Sequence, residues 1–319
     1  MQRYPLPMTL RVHLHDLDDP TFRAVLAEHL DPAIELVPAD APHEVLVAGV
    51  ATAELLARGP HTVVIPWSGV PRSVAALLAE HPDVALHNIH HNAAPVAEHA
   101  VGLLLAAARR LVPADRLLRT GDWSYRFVAQ DAPLLAGRRA LLLGAGALAR
   151  RIAAALEGLD VTSTLLGRTA RDGVLGPEHL DEALTRAEVL VVTLPWTPET
   201  EGLVDARRLA LLPPGALLVN VGRGPVVDEA GLYEALTSGH LAGAGLDVWY
   251  EYPRTKEART QTPPSRFDFG ALDQVVLSPH RAGHGQATER LCAEHLAVPL
   301  NAAARGEPLP HRVDPARGY

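Results

Sequence analysis

The chain of 319 residues is short of lysine and cysteine and has no long apolar run. Lys256 is the only lysine, and 37 acidic residues outnumber 29 basic ones for a formal charge of −8. No Lys/Arg-rich run occurs, and an acidic balance repels phosphate backbones, so nucleic acid is not an expected partner. Cys292 stands alone, which excludes an intrachain disulfide and gives no sign of an oxidising compartment. It is read as a packed helical thiol rather than a nucleophile. The opening MQRYPLPMTL has no apolar core of the secretory type, and runs such as 100–108 fall well short of the roughly 20 residues that cross a bilayer. The expectation is a cytoplasmic protein with no membrane partner.

Of what is present, the hydrophobic share of 48% is enough to bury substantial cores, and at roughly 100–200 residues per domain the length suggests two domains. Short apolar runs bounded by turn residues alternate with helical patterns, which marks βαβ units and parallel sheets. In the first hundred residues the candidate strands are Leu10–Leu14, Glu44–Val50, Thr62–Pro66 and Val84–His87, with helices over Pro20–Leu30 and Pro71–Glu80. This pattern predicts a small flavodoxin-like sheet. Pro95–Val112 reads as one helix, apolar on more than one face and therefore buried between layers. Pro113–Gly137 breaks the alternation and marks a domain boundary. Strands resume at Arg139 and continue through Val161–Leu166, Val189–Thr193, Leu217–Asn220, Gly243–Asp247 and Gln274–Leu277, interrupted by the polar Tyr252–Phe269 stretch. From about Gly283 the chain reads as a helix, and the Pro/Arg-rich tail 305–319 as loose.

The run Ala140-Leu-Leu-Leu-Gly144-Ala-Gly146-Ala147-Leu148-Ala149 is a strand, a GxGxxA turn and the start of a helix. Gly144 permits the tight turn, Gly146 lets backbone approach a pyrophosphate at the helix N-terminus, and Ala149 is small enough for helix–strand packing. The next strand should end in an acidic residue roughly twenty positions on if it is to hold the ribose 2′-hydroxyl of NAD. Here it ends Gly167-Arg168-Thr169. A glycine there removes the repulsion of a 2′-phosphate, and Arg168 offers a guanidinium partner, so NADP is the preferred cofactor and NAD remains possible.

Further motifs follow in order. They are Ala97-Glu98-His99-Ala100, Leu194-Pro195 with Pro198-Glu199-Thr200, Val219-Asn-Val221-Gly222-Arg223-Gly-Pro, Ala242-Gly-Ala-Gly-Leu-Asp247-Val-Trp, and Leu277-Ser-Pro-His280-Arg281-Ala-Gly. With the glycine turn, this ordered set resembles the D-isomer-specific 2-hydroxyacid dehydrogenase family over nearly the whole chain. The resemblance implies an α/β protein of two Rossmann-like domains. A doubly wound parallel-sheet nucleotide domain, 98–282, would be inserted in a flavodoxin-like substrate domain built from 1–97 and 283–319. It also implies hydride transfer in the cleft between NADP(H) and a small anionic 2-keto or 2-hydroxy acid, and a homodimer formed through the nucleotide domain with the long helix and following arm.

Such a reaction needs a cofactor, a proton donor/acceptor and a cation. By resemblance Arg223 binds the carboxylate and polarises the carbonyl, its planar fork suiting that task, and His280 moves the proton. The cofactor set is Gly144, Gly146, Ala147, Leu148, Arg168, Thr169, Leu194, Pro195, Thr200, Val221, Gly222, Asp247 and His280. Asp247 would meet the nicotinamide amide or ribose. In the family a glutamate five residues after that aspartate pairs with the histidine, but this chain has Tyr252 there, with Glu251 one position early. Both enter the catalytic set. A tyrosine carries no charge near neutral pH, so His280 is expected to be less basic than in glutamate-bearing relatives.

Trp67, Ser68 and Gly69 stand where the family offers backbone N–H groups to the substrate carboxylate. Trp67 is a pocket wall or a packing residue. In the run His87-Asn-Ile-His90-His91-Asn92, Asn92 and His91 read as cleft residues rather than metal ligands, and no metal is expected. Arg281 adds a second cation for the substrate, or is a solvated or interface arginine. Two alternatives stay open. One is a relative acting on formate, phosphite or a phosphonate; the other is a dinucleotide-sensing, corepressor-like protein that keeps the motifs without turnover.

Overall fold

Strand and helix alternate along the computed structural model, which describes residues 9–128, 132–285 and 287–318. The chain divides into two units, Met1–Asn92 with His284–Tyr319, and Ala93–Gly283. The first unit begins with strand β1 (Leu10–His15), helix α1 (Pro20–His29), β2 (Ile34–Val37), β3 (Val45–Ala48), α2 (Ala53–Leu56), β4 (Thr62–Ile65), α3 (Arg72–Ala79) and β5 (Ala85–Asn88). Helix α1 starts where Asp19 accepts the Phe22 N–H and Pro20 fills the first helical position. It buries Phe22 and Leu26, one turn apart on the same face.

The second unit opens with α4 (Ala93–Ala108) and α5 (Leu111–Leu118), then runs β6 (Arg139–Leu143), α6 (Ala147–Glu157), β7 (Thr162–Leu166), β8 (Val174–Leu175), α7 (Leu180–Leu184), β9 (Val189–Val192), α8 (Ala206–Leu209), β10 (Ala216–Asn220), α9 (Glu229–Thr237), β11 (Leu241–Leu246) and β12 (Val275–Leu277). The chain then returns to the first unit with α10 (Thr288–Ala304) and β13 (Arg312–Val313).

The second unit's seven strands pair in the order β12-β11-β10-β9-β6-β7-β8, and every pairing is parallel. That is the doubly wound order, with its switch point between β6 and β9. Its strands are apolar on both faces because helices cover both. Leu142, Val189 and Val219 pack with Leu104 of α4 and Ile152 of α6 on one side. Leu141, Leu190 and Leu218 pack with Leu184, Leu209 and Leu232 on the other. In the first unit the order is β13-β5-β4-β3-β1-β2, flavodoxin-like over its five parallel strands, with α1 and α10 contributing Phe22, Leu26, Ala293 and Leu296 to one face.

Several expectations change. The division falls at Asn92/Ala93 rather than 97/98, because α4 is one continuous element that a break at 97 would cut. The helix expected to reach Val112 ends at Ala108. Arg110 takes the left-handed backbone (φ 53°), which interrupts the ladder, and α5 restarts from Leu111. Pro113 does not break it, since in the first turn a missing N–H leaves no bond unmade. Strand β2 went unseen. The tail, expected loose, pairs antiparallel to β5 through Arg312–His87 and Val313–Leu86; Tyr319 lies outside the described residues, as does 1–8 of the N-terminal segment. No described helix is long and apolar enough to cross a membrane.

Candidate active site

The glycine turn lies at the switch point. Gly144 has φ 123°, in the region that favours glycine. A Cβ there would run into the Thr193 hydroxyl, which itself donates to the Leu143 carbonyl at 2.8 Å across the two central strands. Helix α6 has Gly146 as its N-cap with no side chain capping it. A Cβ at Gly146 would meet nothing within 4 Å. The first-turn N–H groups of Ala147 and Leu148 stand at the positive end of an 11-residue helix that no side chain caps, a cradle of the kind that holds a pyrophosphate. At the end of β7 stand Gly167, half-buried, and Arg168 and Thr169, both exposed. Arg171, which sequence reasoning passed over, donates to the Ala145 carbonyl at 3.2 Å and adds a second guanidinium beside the turn. The residues present therefore fit a dinucleotide.

Next to it, the ends of β9 and β10 are locked together. A Cβ on Gly222 would fall 2.5 Å from the Leu194 carbonyl oxygen, so only glycine lets these loops touch. Thr200 is spent within its own loop, its hydroxyl donating to the Pro195 carbonyl at 2.6 Å. Val221 is buried and donates its N–H to Val192. Buried Asn220 bridges the following turn, accepting from the Gly222 N–H (3.1 Å) and donating to the Arg223 carbonyl (3.0 Å). The Arg223 guanidinium donates to the Gly222 carbonyl at 2.7 Å. Burial lowers its pKa from the ordinary arginine value, and the neighbouring Tyr252 opposes that shift.

His280 sits on the loop after β12 with φ 54°, an uncommon backbone for a non-glycine residue. Asp247, at the end of β11 and only 2% exposed, holds that loop from beneath. Its carboxylate accepts the Ser278 hydroxyl, the Arg281 N–H (3.0 Å) and the Ala282 N–H (3.1 Å). His99 of α4 donates from Nε2 to the Ser278 hydroxyl at 2.8 Å and lies 3.5 Å from the same carboxylate. Asp247 thus anchors the histidine loop. Its oxygens are committed to the histidine loop, with Ser278 and His99 as partners that motif matching did not single out.

Tyr252 places its hydroxyl 2.9 Å from His280 Nδ1 and accepts the Trp249 N–H at 3.1 Å. Burial raises its phenol above the usual tyrosine range; the Trp249 N–H and Arg223 pull it down, and Asp247 pushes it up. Glu251 is exposed, its N–H bonded to the Pro264 carbonyl. The contact to His280 Nδ1 is made by the Tyr252 hydroxyl rather than by Glu251. The Arg281 side chain is exposed.

In the first unit, the loops after β4 and β5 hold each other. Ser68 donates to the Asn92 side-chain oxygen (3.3 Å), and Asn88 donates to the Ser68 carbonyl (2.7 Å). The Ser68 and Gly69 N–H groups have no acceptor among the described residues. Trp67, 40% exposed, lays its ring across Gly49, where a Cβ would collide with it. His91 is buried, and burial depresses its pKa to about 4.

Known proteins resemble this chain in sequence and fold. Residues 101–282 match the family model described as D-isomer specific 2-hydroxyacid dehydrogenase, NAD binding domain. A glyoxylate reductase from Pyrococcus furiosus is 34% identical over 228 residues, 68% of this chain. The chain spans less than two thirds of that relative's length, 65%. A D-isomer specific 2-hydroxyacid dehydrogenase from Xanthobacter autotrophicus Py2, solved in complex with NADPH and MES, is 30% identical with a TM-score of 0.77, covering 98% of this chain and 100% of that one. An NADPH-dependent glyoxylate/hydroxypyruvate reductase from Sinorhizobium meliloti, in complex with citrate, is 27% identical with a TM-score of 0.74, covering 96% and 98%.

Proposed function

Because the chain belongs to the D-isomer specific 2-hydroxyacid dehydrogenase family, we propose that it interconverts small 2-keto and 2-hydroxy acids of the glyoxylate and hydroxypyruvate type, with NADP(H) as its preferred cofactor. The observation that carries this is the contact between His280 and Tyr252 beside Arg223, at the strand ends of the same sheet that forms the glycine turn. A bound nicotinamide dinucleotide supplies or accepts the hydride. Gly144, Gly146, Ala147 and Leu148 hold its pyrophosphate, and Arg168 and Thr169, with Arg171, hold the ribose phosphate. Leu194, Pro195, Val221 and Gly222 wall the nicotinamide, with Thr200 fixing the Pro195 carbonyl. Arg223 binds the substrate carboxylate and polarises the carbonyl, and His280 moves the proton. Asp247 acts as a positioning residue. In the first unit Trp67, Ser68, Gly69 and Asn92 keep the substrate-binding part that the family resemblance assigns them, and in the second Arg281 adds positive charge.

The NADP preference is supported by Gly167-Arg168 and by the NADPH in the Xanthobacter structure. We further propose a homodimer. Leu111, Val112, Leu118, Trp123, Phe127 and Val128 are all exposed apolar side chains in one stretch of the second unit, and such surface is costly to leave in water.

A spectrophotometric screen at 340 nm tests the reading, with NADPH and NADH against glyoxylate, hydroxypyruvate, pyruvate, phenylpyruvate, phosphonopyruvate, formate and phosphite. Turnover of a 2-keto acid is expected, with His280→Ala lowering kcat by about 10²–10⁴-fold. NADPH binding without turnover of any keto acid would instead identify a dinucleotide sensor, and turnover of formate or phosphite alone a relative of different chemistry.

A further inference from the structure

The hydroxyl of Tyr252 has two polar partners among the described residues, the Trp249 N–H at 3.1 Å and His280 Nδ1 at 2.9 Å. An N–H can only donate, so Trp249 takes a lone pair of the phenol oxygen. The phenol proton then has one protein acceptor, Nδ1. A neutral imidazole that accepts at Nδ1 carries its own proton at Nε2. A carboxylate in this place would do the opposite, accepting from Nδ1–H and favouring the imidazolium. Charges of both signs stand around the pair, so the hydrogen-bond geometry at Nδ1 carries the argument. Arg223 lies near Tyr252, Arg281 follows His280 in the chain, and the Asp247 carboxylate is committed to Ser278, Arg281 and Ala282, with His99 beyond Ser278.

Resting on the 2-keto acid reductase reading, we propose that Tyr252 is a proton-relay residue and that His280 works from its neutral, Nε2-protonated form. As the carbonyl carbon receives a hydride from the reduced nicotinamide, the C=O π electrons pass to oxygen. That oxygen takes the Nε2 proton of His280. Nδ1 takes the phenol proton, and the imidazole is neutral again as the other tautomer. The tyrosinate left behind accepts from Trp249 N–H, sits near the Arg223 charge, and is reprotonated by water, to which Tyr252 is 42% exposed; the imidazole regains its Nε2-protonated form by losing the Nδ1 proton to solvent and taking one at Nε2 before the next turnover. The nicotinamide is oxidised, the carbonyl is reduced, and one solvent proton is consumed. The proton moves downhill, since an alkoxide is far more basic than a tyrosinate, and no imidazolium need form first. Oxidation runs the same path backwards.

Two measurements test this. In the ligand-free protein, ¹⁵N NMR of the His280 ring, assigned by its loss in His280→Gln, should show Nε2 protonated and Nδ1 accepting near neutral pH, and Tyr252→Phe should abolish that preference. In single-turnover reduction, the wild type should show a curved proton inventory in H₂O/D₂O mixtures, reflecting two protons in flight. Tyr252→Phe should give a linear one with kcat lowered about 10- to 100-fold and KM little changed. Tyr252→Glu should recover much of kcat with a linear inventory. An Nδ1–H tautomer in the wild type, a linear wild-type inventory, or a Tyr252→Phe enzyme within twofold of wild type overturns the relay alone. Failure to turn over any keto acid overturns the reductase reading and the relay with it.

Discussion

At Asp247 a motif residue does something its place in the motif does not announce. The pattern Gly-Leu-Asp247 reads as a cofactor contact, yet the side chain is buried and gathers the donors of the 278–282 loop, keeping His280 in its left-handed backbone. Asp247→Asn swaps an acceptor oxygen for a donor amide facing those donors, and a buried group left unpaired costs about 1–3 kcal/mol. Denaturant unfolding should register a loss of that order, and kcat should fall more than tenfold with little change in NADPH affinity. Resemblance to the family's motifs singled out Arg223, His280 and Tyr252, and the structure sets the Tyr252 hydroxyl 2.9 Å from His280 Nδ1. Sequence alone could not choose between Glu251 and Tyr252, which differ by one position, since that choice depends on how the Tyr252–Phe269 stretch packs. Thr193, Arg171, Ser278 and His99 were missed for a related reason. Each acts through a partner distant in sequence, Leu143, Ala145, Asp247 and Ser278 respectively.

Among the elements, the buried parallel strands were legible because each is an unbroken apolar run between turn residues. β2 (Ile34–Val37) was not, being only partly buried, and β13 exists only because β5 offers it a partner. The arm after α4 was legible as a break but not as α5. Its Leu111, Val112, Leu118, Trp123 and Phe127 remain exposed in one chain, and that surface is the basis of the proposed dimer. Sedimentation should give about twice the 34.1 kDa of the single chain. Replacing Trp123 and Phe127 together by aspartate should shift it to monomer, since charge in the core of an apolar interface is left without a partner. A monomeric wild type would refute the dimer.

Across the molecule, the net charge of −8 describes the surface and conceals arginines 168, 171 and 223 set near the proposed anionic ligands. The first unit holds a different charge property. Burial lowers the pKa of His43, His87, His90 and His91, the last to about 4. These groups are held neutral when folded and bind protons more readily when unfolded, so their contribution is present above the unfolded value near 6.5 and is lost as pH falls. For His91 alone the full loss, reached near pH 4, is on the order of 3 kcal/mol. Thermal melts should therefore show Tm falling between about pH 6.5 and 4, and His91→Gln should flatten that slope.

Hydride transfer between a 2-keto acid and NADPH underlies every role proposed for these residues. The measurement that reaches it most directly is kcat/KM with NADPH and with NADH at a saturating keto acid found in the screen. NADPH is expected to exceed NADH by tenfold or more, and Arg168→Asp to reverse or erase that ratio. Equal or better use of NADH by the wild type would contradict the cofactor assignment.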